Sequence, residues 1–507
     1  MKNSLARRAA YVFFVLLGCC QDGGAEPPFA MDGNFDDWTG IAPSVVDPVG
    51  DSSGVFDVGQ VYAVGRGSRL TLRFDIGTAV NLPAGPASDG TLRILIGLPS
   101  GEQLTIDLRG RRAFLASAPQ TTIPWSNIAF RSGPTFASRQ YEVEADLGAY
   151  GIGPESVVSL DFSGSDSLSA PLLVSFGPAS DNVEHRSGTR PAGTRFRIAS
   201  LNTLVNGLSP ISPRTPAISR LLTSANADVV ALQEEYSVSQ EFIGLALAQT
   251  ATPPDTLPWN VLKVDDCVIG SRWPLVAIPS PGFRSVSAVV QLPTGPVALF
   301  SVHLSCCGYV GSGEDLGRIT QMQGIAQTVL DLRAGVLGPA LKPYANSPVI
   351  ITGDWNLVGS RTPLDVAEGV GVSAEVIRHL ASGDAFTWRD DPTRFWPGRL
   401  DLLAFSRRNL LLARGHVLDT AELTSEELAK MGLQASDSAA SDHLLTVADF
   451  VDRCPADFTP DGTVNSQDFF DFLTAFFAFG PDADFNHDTF INSQDVFDFL
   501  AAFFAGC

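Results

Sequence analysis

The chain has 507 residues, 45% hydrophobic and 18% charged, which rules out a wholly disordered protein and is enough for about three packed domains. A formal net charge of -21 argues against a sequence-independent nucleic-acid coat protein, whose phosphate contacts need clustered positive charge. Gly and Pro number 47 and 34, which favours turn-rich β and α/β structure over long helices.

Lys2, Arg7 and Arg8 precede an apolar stretch from Ala9 to Gly18. That stretch is too short to span a bilayer and suits the core of a secretory signal. Leu16-Leu17-Gly18-Cys19 resembles a bacterial lipobox, which implies lipidation of Cys19 and a lipid-anchored protein of the cell envelope. An ordinary signal peptide cleaved nearby gives an extracellular protein, so both readings of residues 1–28 predict export. No later stretch approaches 18 uninterrupted apolar residues, so no transmembrane helix is expected. Export permits disulfides. Cys454 and Cys507 are the only thiols of the last segment, and pairing them closes a long loop. Cys267 has two candidate partners, Cys306 and Cys307, and the sequence does not choose between them or assign a pairing to Cys20.

Residues 29–190 read as an all-β sandwich. Leu92, Ile94, Ile96 and Leu98 alternate, as do Leu104, Ile106 and Leu108, and Gly, Pro, Ser and Asp separate the runs. The opening Met31-Asp32-Gly33-Asn34-Phe35-Asp36-Asp37-Trp38 resembles family 9-type carbohydrate-binding domains, which implies a polysaccharide partner. Asp47, Asp51 and Asp57 serve either as turn formers or as calcium ligands, and Trp38 reads as core.

Residues 187–194 are rich in Gly, Pro, Ser and Thr and read as a linker. Beyond it, apolar runs alternate with helical stretches, as in a layered α/β domain over 195–450. Thr215-Pro216 opens a predicted helix, with Thr215 as cap and with Ile218, Leu221, Leu222 and Ala225 on one face. A second helix is predicted from about Glu314 to Arg333. Six apolar runs each carry an acid, amide or imidazole at one end. Packed side by side, they would bring Asn202, Glu234, His303, Asp354, Asn356, Asp401, Asp442 and His443 to one rim.

The ordered set Ser200-Leu-Asn202-Thr203, Leu232-Gln-Glu234, Ser271-Arg272-Trp-Pro274, Val302-His303-Leu304, Arg318-Ile-Thr-Gln321, Gly353-Asp354-Trp-Asn356, Arg399-Leu-Asp401 and Ser441-Asp442-His443 resembles the endonuclease/exonuclease/phosphatase superfamily, which includes deoxyribonuclease I. The resemblance implies a two-sheet α/β sandwich with its active site at one edge, and metal-dependent phosphoester hydrolysis by water attack on phosphorus. Asn202, Glu234 and Asp442 are then the expected ligands of Mg²⁺ or Mn²⁺, which neutralises an anionic diester. His443 is the expected general base, oriented by Asp401. Asp354 and Asn356 hold water and a phosphate oxygen, and His303 binds phosphate or protonates the leaving group. Glu235 reads as a neighbour, since alternate strand residues face opposite ways. Residues 195–450 carry 19 basic and 25 acidic residues, a net of -6, which leaves nucleic acid and phospholipid head groups both open as substrates. A sphingomyelinase-like lipid phosphodiesterase, a phosphomonoesterase and an inactive surface scaffold are the alternatives. Retention of the whole residue set disfavours the scaffold.

Residues 452–507 hold ten acidic residues and one Arg, and Ser466–Leu473 recurs as Ser493–Leu500. Asp457, Thr459, Asp461 and Asp468 fit one calcium loop, and Asp484, Asn486, Asp488 and Asp495 fit a second. The duplicated loops resemble a dockerin, which implies bound Ca²⁺ and a cohesin-type partner, with a calcium-stabilised stalk as the alternative. Phe472, Phe476 and Phe477, with Phe499, Phe503 and Phe504, are expected to form its small core.

Overall fold

The computed structural model describes residues 29–179, 187–280, 282, 284–391, 395–407, 410–459, 463–486 and 490–506. The leader with Cys19 and Cys20, the loop residues Asp461 and Asp488, and Cys507 lie outside the described residues.

Ten described strands between Val45 and Gly177 form one sheet, nine along a continuous hydrogen-bonded path and Val45–Val46 paired beside it on Gln60–Arg66. The period-two runs become strands as expected: Leu92–Gly97 alternates buried and half-buried side chains. The path folds over one core, in which Phe74 of strand Arg69–Val80 packs on Phe162 of strand Val157–Gly164, ring centroids 5.2 Å apart. A short parallel pairing of Phe176 with Gly65 joins its halves. A Cβ at Gly65 would meet the Phe176 ring at 2.8 Å, so the joint needs glycine. Trp38 is buried and donates its indole N–H to Glu142 (3.0 Å), a core role.

The central region contains two six-stranded sheets. One runs Asn260–Val264, Cys267–Ser271, Val229–Gln233, Phe196–Asn202, Leu445–Asp452, Leu410–Leu418. The other runs Leu275–Ala277, Ser285–Leu292, Gly295–His303, Val349–Asp354, Asp401–Phe405, Ser373–Glu375. Phe196, Ile198, Val286 and Phe405 fill the space between the sheets. Ala199 and Leu201, on the opposite face of the same strand, pack under the helices Thr215–Ala225 and Gln240–Thr250. Helix Gly313–Arg333 covers the second sheet. Central strands are therefore apolar on both faces, which explains their unbroken hydrophobic runs.

Ile218, Leu221, Leu222 and Ala225 form the buried stripe of helix Thr215–Ala225, as the periodicity predicts. The cap differs. Arg214 holds the N-cap position, and the Thr215 hydroxyl donates back to the Gly207 carbonyl (2.9 Å), tying the helix to the preceding loop. The second helix is capped by Ser312, whose Oγ accepts from Asp315 N (3.3 Å).

Arg197 is 4% exposed and donates to both oxygens of Asp449 at 2.8 and 2.7 Å. Asp449→Ala strands this buried guanidinium, so urea unfolding is expected to show a loss of about 3–5 kcal/mol.

The N-terminal sheet is packed against the central region. Asn81 donates to the Val358 carbonyl (2.7 Å) and accepts from Val310 N (2.6 Å). Thr135 donates to the Leu357 carbonyl (2.6 Å), and Arg131 pairs with Asp384 (2.6 Å).

The tail folds as helices Ser466–Phe477 and Ser493–Ala505. Phe472 and Phe499 stack at 4.2 Å and are fully buried with Phe485 nearby. Phe477 and Phe504, expected in this core, are 74% and 80% exposed, because each lies about 100° round the helix from Phe476 or Phe503, past the edge of the buried face. Asp468 and Asp495 close both repeats. Asp468 accepts from Asn465 N (2.8 Å) and Thr459 N (3.0 Å), and Asp495 from Asn492 N (2.8 Å) and Asn486 N (3.1 Å). Cys454 is disulfide-bonded.

Candidate active site

The register of the sheets builds the rim. In the second sheet His303 pairs with Asp354 on the parallel neighbour, and Asp354 pairs with Asp401 on the antiparallel one. Three of the expected site residues thus sit in one row across three strands. In the first sheet Asn202 pairs with Gln233, and Glu234 follows at once. Strand Leu445–Asp452 runs antiparallel to Phe196–Asn202, so its entry segment, with His443, reaches the same edge. Gln233 joins the two sheets by donating to Ser301 Oγ at 3.0 Å. Glu234 and Asn356 lie in the left-handed region at φ 66° and 48°, which bends the chain off each strand end.

Asp354 is the centre. Its Oδ2 accepts from Asn202 Nδ2 (3.2 Å) and Asn356 Nδ2 (2.9 Å). The Nε2 atoms of His303 and His443 approach the same oxygen at 3.5 and 3.6 Å. Asn202 Nδ2 also donates to Glu234 Oε1 (3.1 Å). His443 Nδ1 meets Asp401 at 2.8 Å, and His303 Nδ1 meets Asp266 at 2.5 Å. Two carboxylate–imidazole pairs therefore flank one buried carboxylate.

Burial raises the Asp354 carboxyl above the usual range, against the lowering effect of His443. Burial lowers His443, but the Asp401 and Asp354 carboxylates outweigh it and push the imidazole up to about 10. Burial likewise lowers His303, and its hydrogen bond to Asp266 turns the net shift upward.

Residues 199–443 match the Endonuclease/Exonuclease/phosphatase family.

The chain is also similar to solved structures. One is humanized D. rerio TDP2 with 14 mutations, at 17% identity over 50% of this chain and 98% of that one, TM-score 0.33. Another is beta toxin 275-280 from Staphylococcus aureus, at 18% over 50% and 99%, TM-score 0.33. A third is an endonuclease/exonuclease/phosphatase family protein from Leptotrichia buccalis C-1013-b, at 12% over 50% and 98%, TM-score 0.34. No curated protein matches the chain.

Within the matched residues 199–443, Asn202, Glu234, His303, Asp354, Asn356, Asp401 and His443 converge. Asp442 makes other hydrogen bonds: its Oδ2 accepts the indole N–H of Trp388 at 2.9 Å, and its backbone carbonyl accepts from Arg389 N (2.9 Å). Its side chain holds the Trp388 indole and makes no hydrogen bond to Asn202, Glu234 or Asp354 among the described residues. Glu235 is a neighbour, as alternation predicts. It is buried and accepts from Thr203 Oγ1 (2.7 Å) and Leu208 N (2.9 Å), which shapes the loop after Asn202.

Asp266 escaped the sequence reading. It sits in the two-residue turn between Asn260–Val264 and Cys267–Ser271, and an acidic pair in a hairpin reads as turn chemistry. Cys267 is a buried free thiol, and Cys306 and Cys307 are exposed free thiols with Sγ atoms 2.8 Å apart, so neither candidate pairing of Cys267 forms.

Proposed function

We propose that residues 195–450 hydrolyse a phosphodiester by attack of water on phosphorus, assisted by Mg²⁺ or Mn²⁺. The observation that carries this reading is the convergence of two amides, two imidazoles and Glu234 around Asp354.

The donor set fits a hard cation. Glu234, Asp354 and the Asn202 side chain supply oxygen at the rim, the chemistry Mg²⁺ prefers, with no thiolate among them. Asn202 now donates Nδ2 into the cluster and accepts Leu204 N on Oδ1 (3.0 Å). A half-turn of its amide presents Oδ1 at no change of shape. The bound cation would neutralise diester charge, polarise phosphorus, and offset the Asp354 charge that helps hold a proton on His443.

This chain's residues supply the rest. Asp401 fixes the tautomer of His443 so that Nε2 faces the reacting water. Asp266 does the same for His303, which keeps a proton for phosphate oxygen or the leaving group. Asn356, held by Asp354 and the Leu304 carbonyl, orients phosphate. Nucleic acid and phospholipid head groups are the substrate classes. The same proposal has the chain exported, with a polysaccharide-binding N-terminal region and a calcium-loaded, cohesin-binding tail.

Hydrolysis of bis(4-nitrophenyl) phosphate by the full chain is the test. Activity is expected with Mg²⁺ or Mn²⁺, to vanish with EDTA and to return on adding metal. An equal rate in EDTA would refute the metal-assisted reading.

A further inference from the structure

Three carboxylates converge away from the catalytic rim. Asp47 and Asp51 lie in the segment after strand Val45–Val46, and Asp166 lies between Val157–Gly164 and Leu172–Gly177. One oxygen of each lies within 4.8 Å of the others. Asp47 is 1% exposed and Asp166 8%, while Asp51 faces solvent.

The hydrogen bonds leave this cluster short of positive charge. Asp47 Oδ1 accepts from Ser169 N (2.8 Å) and Ser169 Oγ (2.7 Å). Asp47 Oδ2 is equally buried and has no hydrogen-bond partner. Asp166 accepts from Val58 N (2.6 Å) and Ser167 N (2.8 Å). A buried, unpartnered carboxylate oxygen, on a residue that also meets two more carboxylates, is costly unless a cation completes the set.

We propose that Asp47, Asp51 and Asp166 form a calcium site that clamps residues 47–58 onto the 165–169 loop. The donors are hard oxygens without His or Cys, which disfavours zinc and softer metals. Three carboxylates drawn from irregular loops suit the large, adaptable shell of Ca²⁺. Mg²⁺ demands a near-ideal octahedron and keeps several waters. Ser53 N already donates to the Ser165 carbonyl (2.7 Å), so the clamp tightens a contact that exists. The site is separate from the catalytic reading and from the tail loops.

Hydrogen exchange of the full chain, resolved by peptide, tests it. With Ca²⁺ at about 1 mM, peptides covering 47–58 and 165–170 are expected to exchange about tenfold more slowly than in EDTA. Mg²⁺ should not reproduce this. Asp51→Ala, at an exposed position, should abolish the Ca²⁺ difference while matching the wild type in EDTA. Peptides from 463–486 and 490–506 report the tail separately. Equal exchange in Ca²⁺ and EDTA, equal slowing by Mg²⁺, or a Ca²⁺ effect that survives Asp51→Ala would each overturn the proposal.

Discussion

Asp354→Asn is expected to lower phosphodiester hydrolysis by about 10³-fold or more while leaving the fold intact. The substitution keeps the size of a fully buried side chain and removes its charge. That charge is what Asn202, Asn356, His303 and His443 all address. An amide there can satisfy at most some of these donors, and its own N–H₂ would face two of them. Burial already penalises the charged form of Asp354, so neutralising it costs the fold little. Steady-state rates and a thermal melt of the same preparation check both halves. A variant with wild-type rate would remove Asp354 from the chemistry.

His443→Ala is expected to cost about 10²–10⁴-fold in kcat, the usual range for a positioned acid–base group. Asp401→Asn should lose a similar amount, by releasing the ring and reversing the hydrogen bond at Nδ1. The pair also has a titration signature. Asp401 is the largest influence raising His443, so Asp401→Asn should bring the imidazole down from about 10. Because the folded-state pKa is raised, the stability this contact contributes is fully present below the ordinary value near 6.5. It is lost as pH rises through about 10. Imidazole nitrogen shifts against pH report this directly. An unchanged His443 midpoint in Asp401→Asn would show that the contact does not control its protonation.

The site was legible in the sequence because strand ends carry it. Asn202, His303, Asp354 and Asp401 each terminate or open a run apolar enough to be a buried strand, and neighbouring strands align such ends. Helix Thr215–Ala225 was legible for a similar reason: its four apolar residues fall on one stripe.

What escaped depends on contacts distant in sequence. Asp266 meets His303, 37 residues away, and only the packing of the two sheets brings them together. Asp442 keeps the expected spacing from His443, yet the approach of Trp388 decides where its side chain points. Phe477 and Phe504 lie outside the core because each sits about 100° further round its helix than Phe476 or Phe503, past the edge of the buried face. The contacts of Asn81 and Thr135 with the loops after His303 and Asn356 join segments more than two hundred residues apart, and no local pattern announces them.

The measurement that bears most directly on the catalytic proposal is single-turnover hydrolysis of a phosphodiester in ¹⁸O-water, with the product read by ³¹P NMR. Water attack on phosphorus predicts one ¹⁸O on the product phosphate, a metal-dependent rate, and neither in Asp354→Asn. Label in the alcohol product, or labelled phosphate formed equally fast by Asp354→Asn, would contradict the account.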